Sequence, residues 1–275
     1  MSAAIWSSSQ QDILAYPADA FIRFFDNHGL LNLSERPQWK TVTGGSRKYV
    51  EALLADAEVE ERIATPVVKI ERQRHCNVVT LSDGARLEFD EVVLATHADE
   101  ALALIAEPSQ DEQDILGAFR YSDNEAWLHR DQRFMPTRKL AWASWNYLTH
   151  VDWDINRPLS VTYWMNQLQP LETRDDIFVT LNPNEPPARE KVFGRYQYTH
   201  PIFTARTALA QERSLSIQGR HHTWFCGAYL GAGFHEDAAQ SGFWIAEALG
   251  AERPWERNGF DRLPISYSQL YAIAA

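Results

Sequence analysis

Residues 223–250, with the sequence TWFCGAYLGAGFHEDAAQSGFWIAEALG, combine an apolar run, a glycine-bearing loop and an amphipathic pattern. The run TWFCGAY is typical of a buried strand, and the apolar spacing from Ala238 to Leu249 predicts a helix that ends at Gly250. The free amide groups of the first helical turn, near His235, attract an electron-rich ligand group because they lie at the positive end of the helix dipole. The pattern equally allows an ordinary structural helix.

Other residues that could take part in catalysis or bind a metal give weaker indications of a functional site. His129 and His200 could transfer protons, although an isolated histidine is more often a packed residue. The histidines and carboxylates of RHHTW (220–224) and HADE (97–100) lack the context of a zinc site, so no metal site is predicted. The sequence has neither a G-x-S-x-G elbow nor a Walker loop, so no motif supports an α/β-hydrolase or a P-loop NTPase.

The first hundred residues contain the elements that would support such a site. Residues 16–31 have helical spacing and end near Gly29, and Ser46 precedes a second helical pattern with Val50, Leu53 and Leu54 on one face. Three strand-like runs, then a buried strand and a helix, follow at 65–72, 77–81, 85–90, 91–96 and 97–105. The sequence Ser-Asp-Gly at 82–84 marks a tight turn, so these runs predict a small antiparallel meander that leads into a buried strand.

From about residue 115 to 215 the pattern changes to long aromatic strands. Examples are the segments 124–131, 140–148, 159–168 and 176–183, which predict one broad antiparallel sheet that is half-covered by helices. On a strand, Trp145 and Tyr147 share one face, and Trp142 and Asn146 share the other. One of these faces could line an apolar cavity, and ordinary core packing is at least as good an interpretation.

Composition limits the kinds of partner. The chain of 275 residues has a formal net charge of -11, which argues against non-specific binding to nucleic acid or anionic membranes. No apolar run approaches the roughly 20 residues of a membrane span, and no signal-peptide pattern is present. Two cysteines in a chain of this length are consistent with a cytoplasmic location.

Four segments together resemble one protein family in order and spacing: TVTGGSRKYVEAL (41–53), TPVVKIER (65–72), FDEVVLATHADEAL (89–102) and TWFCGAYLGAGFHEDAAQSG (223–242). The chain resembles the C-terminal two-thirds of a flavin-containing amine oxidase-type FAD-dependent oxidoreductase. It is most similar to a bacterial subgroup of predicted NAD/FAD-binding proteins, whose genes often lie beside cyclopropane-fatty-acid-synthase-like methyltransferases.

The resemblance implies an α+β or α/β fold, with a partial FAD-binding domain of the GR2 type that carries a β-meander and a substrate domain on a mixed, largely antiparallel sheet. It divides the chain into a helical part of the substrate domain (1–40), an FAD-binding segment with the meander (41–105), the substrate-binding domain (106–215), a return to the FAD-binding domain (216–251) and a C-terminal tail (252–275).

The resemblance also implies the residues that would bind FAD: Gly44, Gly45, Val67, Ala95, Thr96, Gly227, Ala228, Gly233, Phe234, His235 and Glu236. Val67 matches the position that pairs with adenine, and Gly227 matches a glycine near the ribityl chain. The segment from Gly233 to Glu236 matches the family's G-Y-M-E, in which the amide of the third residue faces the flavin C2 carbonyl. His97 departs from the family's proline, and Ala228 and Tyr229 replace an expected acidic residue.

The substrate candidates are Lys48, Trp145, Asn146 and Tyr229, and the resemblance identifies no catalytic residue. The family's phosphate-binding G-x-G-x-x-G would precede residue 1, so we expect a truncated or split oxidoreductase. The missing segment could be lost, mis-annotated or supplied by another chain. In its absence, we expect the strands EVVLAT and TWFCGAY to have exposed edges unless another chain covers them.

These observations lead to two hypotheses of function. The first is part of an FAD-dependent oxidoreductase that transfers a hydride from a substrate carbon to flavin N5, on an apolar or lipid-linked small molecule, with little activity in this chain alone. The second is a non-catalytic module that binds an apolar ligand or a partner chain.

Overall fold

The computed structural model describes residues 5–34, 38–147 and 159–252. Contacts divide the chain into two compact units, each made of separate segments. The first unit comprises Met1–Tyr16, Phe21–Glu61 and Tyr121–Ile202, and the second comprises Pro17–Ala20, Arg62–Arg120 and Phe203–Ala275.

The second unit contains the predicted meander. Its strands are β1 (Val67–Arg72), β2 (Asn77–Leu81) and β3 (Arg86–Phe89), in the antiparallel order β1-β2-β3. The turn between β2 and β3 depends on Gly84, whose φ of 87° suits glycine, and on Asp83, whose Oδ1 accepts the Ala85 amide at 2.9 Å. The local turn chemistry therefore determines the register of this hairpin, as the sequence predicts.

The same unit contains a parallel pair formed by β4 (Val92–Leu94) and β10 (Thr223–Phe225). Its helices are α4 (Ala98–Leu104), α5 (Gln110–Leu116), α7 (Ala205–Arg213) and α8 (His235–Ala248). All three residues of β10 are buried, whereas Val93 of β4 is 42% exposed. The outer edge of β10 is covered by the side chain of Gln218, whose Nε2 donates to the Phe225 carbonyl and whose Oε1 accepts the Phe225 amide, both at 2.9 Å. This arrangement corrects the expectation of an exposed edge for TWFCGAY, because a buried side-chain amide replaces a neighbouring strand.

An ion pair inside the second unit joins the meander to α5. The guanidinium of Arg72 donates to both carboxylate oxygens of Glu112, at 2.9 and 2.6 Å, and Glu112 is almost fully buried. Glu112 also accepts the amide and hydroxyl of Ser109, the N-cap of α5. Burial alone would raise the pKa of Glu112, but the hydrogen bonds from Arg72 and Ser109 outweigh burial and lower it.

The boundaries of the two units differ from the sequence-based segments. The sequence pattern places residues 106–120 and 203–215 in the substrate domain, whereas the structure groups them with the meander. The physical reason is that Glu112 of α5 pairs with Arg72 of β1, and Gln211 of α7 donates to the Tyr229 carbonyl after β10. Conversely, residues 41–61 are grouped with the large sheet.

The first unit is built on a five-stranded sheet with the order β6-β7-β8-β5-β9. The strands are β5 (Arg120–His129), β6 (Trp145–Tyr147), β7 (Val161–Trp164), β8 (Phe178–Leu181) and β9 (Val192–Ile202). The helices that precede residue 57 are α1 (Gln10–Leu14), α2 (Ala18–Asn27) and α3 (Arg47–Asp56). A short helix, α6 (Met165–Leu168), lies between β7 and β8. The predicted antiparallel sheet is thus confirmed, but residues 165–168 form a helical turn instead of continuing the strand.

Helix α3 departs from the apolar face predicted for it. None of its residues is buried, and Leu53 is 67% exposed. The helical spacing is correct, but the described residues supply no surface that covers this face. An amphipathic pattern predicts a helix and its apolar side, and does not specify what packs there.

One face of the sheet carries a buried polar row. Asn146, Thr162 and Thr180 lie directly opposite one another on β6, β7 and β8. The hydroxyl oxygens of Thr162 and Thr180 are 2.8 Å apart, and Nε2 of His129 lies 2.7 Å from the Thr180 hydroxyl. Because Nδ1 of His129 accepts the Asp131 amide at 3.0 Å, the proton of the neutral ring lies on Nε2 and is donated to Thr180.

Asp131 continues this network at the end of β5. Its fully buried carboxylate accepts hydrogen bonds from Arg133, Lys191 and the Ala188 amide. Burial would raise the pKa of this carboxyl group, but these hydrogen bonds outweigh burial and lower it. The carboxylate thus ties the chain before β9 to the end of β5.

We expect His129 to make folding pH-dependent. Its ring is fully buried, and desolvation lowers its pKa from 6.5 to about 4, although the Asp131 carboxylate opposes the shift. A lowered pKa means that the neutral ring stabilises the fold fully above pH 6.5, and that this contribution, about 3 kcal/mol, is lost as the pH falls towards 4. Denaturant unfolding of wild type and His129→Gln at pH steps between 7 and 4 should show a difference that shrinks on acidification. Parallel stability curves would contradict the assignment.

We also expect Glu112→Gln to lower the free energy of unfolding by about 3 kcal/mol, because it leaves a buried guanidinium without its counter-charge. The matched control is Glu51→Gln, which removes an exposed carboxylate paired with Lys48 and should change stability by less than about 0.5 kcal/mol. Chemical denaturation measures both variants, and similar losses would show that burial does not govern the difference.

Candidate functional site

The candidate site lies where β4 and β10 end in the second unit. The strands are parallel and in register, with Leu94 opposite Phe225, and the Cys226 amide donates to the Leu94 carbonyl at 3.0 Å. The turns after the two strands therefore meet at one edge, which is where open α/β sheets bind their ligands. Ala95 and Thr96 are exposed there.

Gly227 is the first residue of the turn after β10 and has a conformation that suits glycine, with φ of 154°. A Cβ atom added there would lie 2.8 Å from the ring of Tyr229 and 3.5 Å from the Thr96 carbonyl. The Gly227 amide donates to the Ser241 hydroxyl at 2.9 Å, which ties the turn to α8. The position therefore excludes a side chain and holds the ends of both strands close to the helix.

The loop from Ala228 to Phe234 is fixed from two sides. Gln211 Nε2 donates to the carbonyls of Tyr229 and Gly231, at 2.8 and 2.7 Å. The Gly233 amide donates to the Ala228 carbonyl at 3.1 Å, and Gly233 has a φ of 93°. The loop thus brings the backbone to the start of α8 in one defined path.

Helix α8 begins at His235, and its first turn carries two carboxylates. Asp237 Oδ2 accepts the Phe234 amide at 2.9 Å, and Glu236 Oε1 accepts Gln240 Nε2 at 2.8 Å. Negative side chains in the first turn already interact favourably with the helix dipole and repel a further anion. This N-terminus therefore suits a neutral, electron-rich carbonyl better than a phosphate.

Tyr229 and Cys226 point into the protein at this site. Tyr229 is fully buried, and its ring lies 4.9 Å from that of Phe119. Burial raises the pKa of the Cys226 thiol to about 11, so it remains protonated at neutral pH and is a poor nucleophile. Tyr229 was predicted to contact substrate, and in this chain its described surroundings are those of a core residue.

The remaining FAD-binding candidates are spread over both units. Val67 is half-buried at the start of β1, next to an irregularity in the β1–β2 pairing. His97, which replaces the family's proline, is the N-cap of α4, and its amide donates to Glu100 Oε2 at 3.1 Å, a bond that proline could not make. Gly44 and Gly45 belong to the first unit and have φ angles of 83° and 86°.

The other substrate candidates lie in the first unit. Lys48 is exposed on α3 and donates to Glu51 at 3.3 Å. Asn146 is buried, and its amide group is bonded to the backbone of Ala143 and Thr162, so it supports the sheet. Trp145 is half-buried on the opposite face, where its ring lies 5.3 Å from that of Tyr163.

Sequence reasoning missed the polar side chains that shape the site. Ser241, Gln211 and Gln218 bond to the backbone around the two strand ends, yet no short motif distinguishes them from surface polar residues. For Ser241 the sequence does contain a usable signal. It is a polar residue between the small residues Ala238 and Gly242, on the inner face of the predicted helix.

Comparisons with known proteins support the fold described above. Residues 11–139 match the family described as flavin containing amine oxidoreductase. A similar solved structure is a CLA-producing fatty acid isomerase from P. acnes, with 14% identity and a TM-score of 0.52 over 75% of this chain and 52% of that chain. A reduced UDP-galactopyranose mutase is similar with 11% identity and a TM-score of 0.54 over 84% of this chain and 55% of that chain. A putrescine oxidase bound to putrescine is similar with 10% identity and a TM-score of 0.51 over 76% of this chain and 54% of that chain. The chain has the fold of the FAD-dependent oxidoreductases. It spans little more than half the length of these structures, and no curated protein matches its sequence.

No helix among residues 5–34, 38–147 and 159–252 has the length and apolarity needed to cross a membrane. Within the same ranges, no three histidine, cysteine or acidic side chains converge as a metal site.

We expect Gly227→Ala to lower the free energy of unfolding by about 1–3 kcal/mol, because its Cβ collides with the Tyr229 ring at an unfavourable φ. The control is Gly242→Ala in α8, where an added Cβ meets nothing within 4 Å and should raise stability by about 0.5–1 kcal/mol. Thermal or chemical unfolding distinguishes the two, and equal tolerance would disprove the close packing at Gly227.

Proposed function

We propose that this chain is part of an FAD-dependent oxidoreductase of the amine oxidase type, and that its second unit holds the isoalloxazine end of the cofactor. The observation that carries the proposal is the shared edge at Thr96 and Gly227, which Ser241 ties to α8. The match of residues 11–139 to a flavin-containing family supports the same cofactor.

The described residues fit that end of FAD. Gly227 and Ala228 would lie beside the ribityl chain, and Gly233, Phe234, His235 and Glu236 beside the flavin ring. The first-turn amides of α8 would face the C2 carbonyl, a neutral acceptor that the nearby Asp237 carboxylate tolerates. Ala95, Thr96 and Val67 would contact the dinucleotide further along.

The reaction we propose is oxidation of a substrate carbon. When bound, FAD supplies the acceptor at N5 for a hydride from that carbon. The chain's own residues would bind the ring, orient it through the backbone of residues 227–235 and exclude water. No described side chain is assigned as an acid or base.

For the substrate we propose an apolar or lipid-linked small molecule. Trp145, Tyr147 and Tyr163 share one face of the sheet, and burial raises the pKa of Tyr163 to about 12, as expected in apolar surroundings. The bacterial subgroup that the sequence resembles also supports a lipid connection. One of the similar folds is a fatty acid isomerase, but a shared fold alone does not transfer a substrate.

The phosphate-binding part of the site would come from a further segment or from a partner chain. The exposed Val93 on β4 supports this proposal, because parallel strands are normally covered on both sides. Both cysteines are free thiols, which is consistent with the cytoplasmic location that we propose.

The alternative is a non-catalytic module that binds an apolar ligand or a partner chain, to which the aromatic face of Trp145, Tyr147 and Tyr163 would contribute. It would bind a fluorescent fatty acyl probe without any affinity for flavin. The first proposal requires affinity for the flavin ring itself.

The test is a titration of the purified chain with FAD, followed by flavin fluorescence, with riboflavin as a competitor. We expect weak but saturable binding of FAD, which riboflavin displaces. The variant Gly233→Val should weaken FAD binding about tenfold or more, because valine is strained at the positive φ of this position. Gly250→Val is the matched control, since Gly250 has a φ of 94° at the end of α8, far along the helix from the proposed contact. A folded chain that does not bind flavin at millimolar concentration, or equal effects of the two variants, would overturn the site.

A further inference from the structure

Two tryptophan rings in the first unit form a right-angled corner. The ring centroids of Trp142 and Trp164 are 5.1 Å apart, and the ring planes are inclined at 88°. Phe178 lies 5.7 Å from Trp142 and supports it from the side. We call the two indole rings the tryptophan corner.

Both rings are held by their own N–H groups. Trp142 Nε1 donates to the Pro136 carbonyl at 2.7 Å, and Trp164 Nε1 donates to Asp176 Oδ1 at 3.1 Å. With the N–H groups occupied, the electron-rich ring faces are what the corner offers to a ligand. Such faces attract organic cations.

A cation of the chain itself occupies this position. The ammonium nitrogen of Lys139 lies 5.0 Å from the centroid of Trp142 and 6.0 Å from that of Trp164. It also donates to Asp176 Oδ2 at 3.2 Å. Asp176 is 17% exposed and Lys139 is 67% exposed, so the carboxylate belongs to the protein's interior side and the lysine to its solvent side.

We propose that the tryptophan corner and Asp176 form a binding site for a small organic ammonium ion, and that Lys139 closes it as an internal competitor. Two perpendicular ring faces and one carboxylate are the groups that recognise quaternary ammonium compounds. The carboxylate remains positioned when the lysine leaves, because Trp164 and Gln132 Nε2 both donate to it, the latter at 3.2 Å.

Two opposing effects decide whether a free ammonium ion can displace Lys139. Displacement is favoured because the side chain of Lys139 is 67% exposed, so the hydration of its ammonium group competes with the contact to Asp176. Lys139 stands only three positions before Trp142, however, so its local concentration at the corner is high. The wild-type chain should therefore bind a free ammonium ion weakly, and removal of Lys139 should open the site. The site is independent of flavin and of the proposed oxidoreductase function.

The experiment is an NMR titration of the full chain with choline, in which the probe's methyl protons shift upfield when they lie against aromatic faces. We expect Lys139→Ala to bind choline about tenfold more tightly than wild type. Arg138→Ala is the matched control, because it removes the same charge from the neighbouring residue without opening the corner, and it should bind as wild type does.

Two further measurements separate recognition by charge from ordinary apolar binding. The neutral carbon analogue 3,3-dimethyl-1-butanol should bind Lys139→Ala much more weakly than choline does. Asp176→Asn in the Lys139→Ala background keeps an acceptor for Trp164 and should weaken choline binding about tenfold. Equal affinity in Lys139→Ala and Arg138→Ala, or equal affinity for choline and its neutral analogue, would overturn the proposal.

Discussion

The parallel pairing of β4 with β10 is the constraint on which the candidate site depends. Each strand has three residues, and the two lie far apart in the sequence, so the pair exists only because the intervening chain folds back to the same place. Parallel strands require such a long crossover connection. The register between Leu94 and Phe225 then decides which residues follow at the shared edge, and this places Thr96 beside Gly227.

Polar side chains hold that edge where strands and helices do not reach. Gln211 fixes the loop after β10, Ser241 joins Gly227 to α8, and Gln218 pairs with the backbone of Phe225. Each bond satisfies a buried or partly buried backbone group that would be costly to leave unpaired. The irregular chain at the site is therefore held by specific hydrogen bonds.

Local signals in the sequence predicted the elements well. The turn at Gly84 determines the meander, the helical spacing and Gly250 mark α8, and the alternation of Trp145 with Asn146 assigns them to opposite faces correctly. The assignment of segments to units could not be obtained in this way, because it depends on long-range contacts such as that between Arg72 and Glu112. For the same reason, the exposure of α3 and the buried state of Tyr229 became apparent only from the structure.

Because Gln218 covers β10, the small parallel sheet can accept a further strand only at its other edge, beside β4. A side-chain amide that pairs with Phe225 blocks the approach of another backbone on that side, since both hydrogen-bonding groups of that residue are already engaged. The opposite flank of β4 has no strand beside it within the described residues. Any additional strand would therefore extend the sheet from β4, and it would turn β4 from a border strand into an interior one whose backbone is paired on both sides.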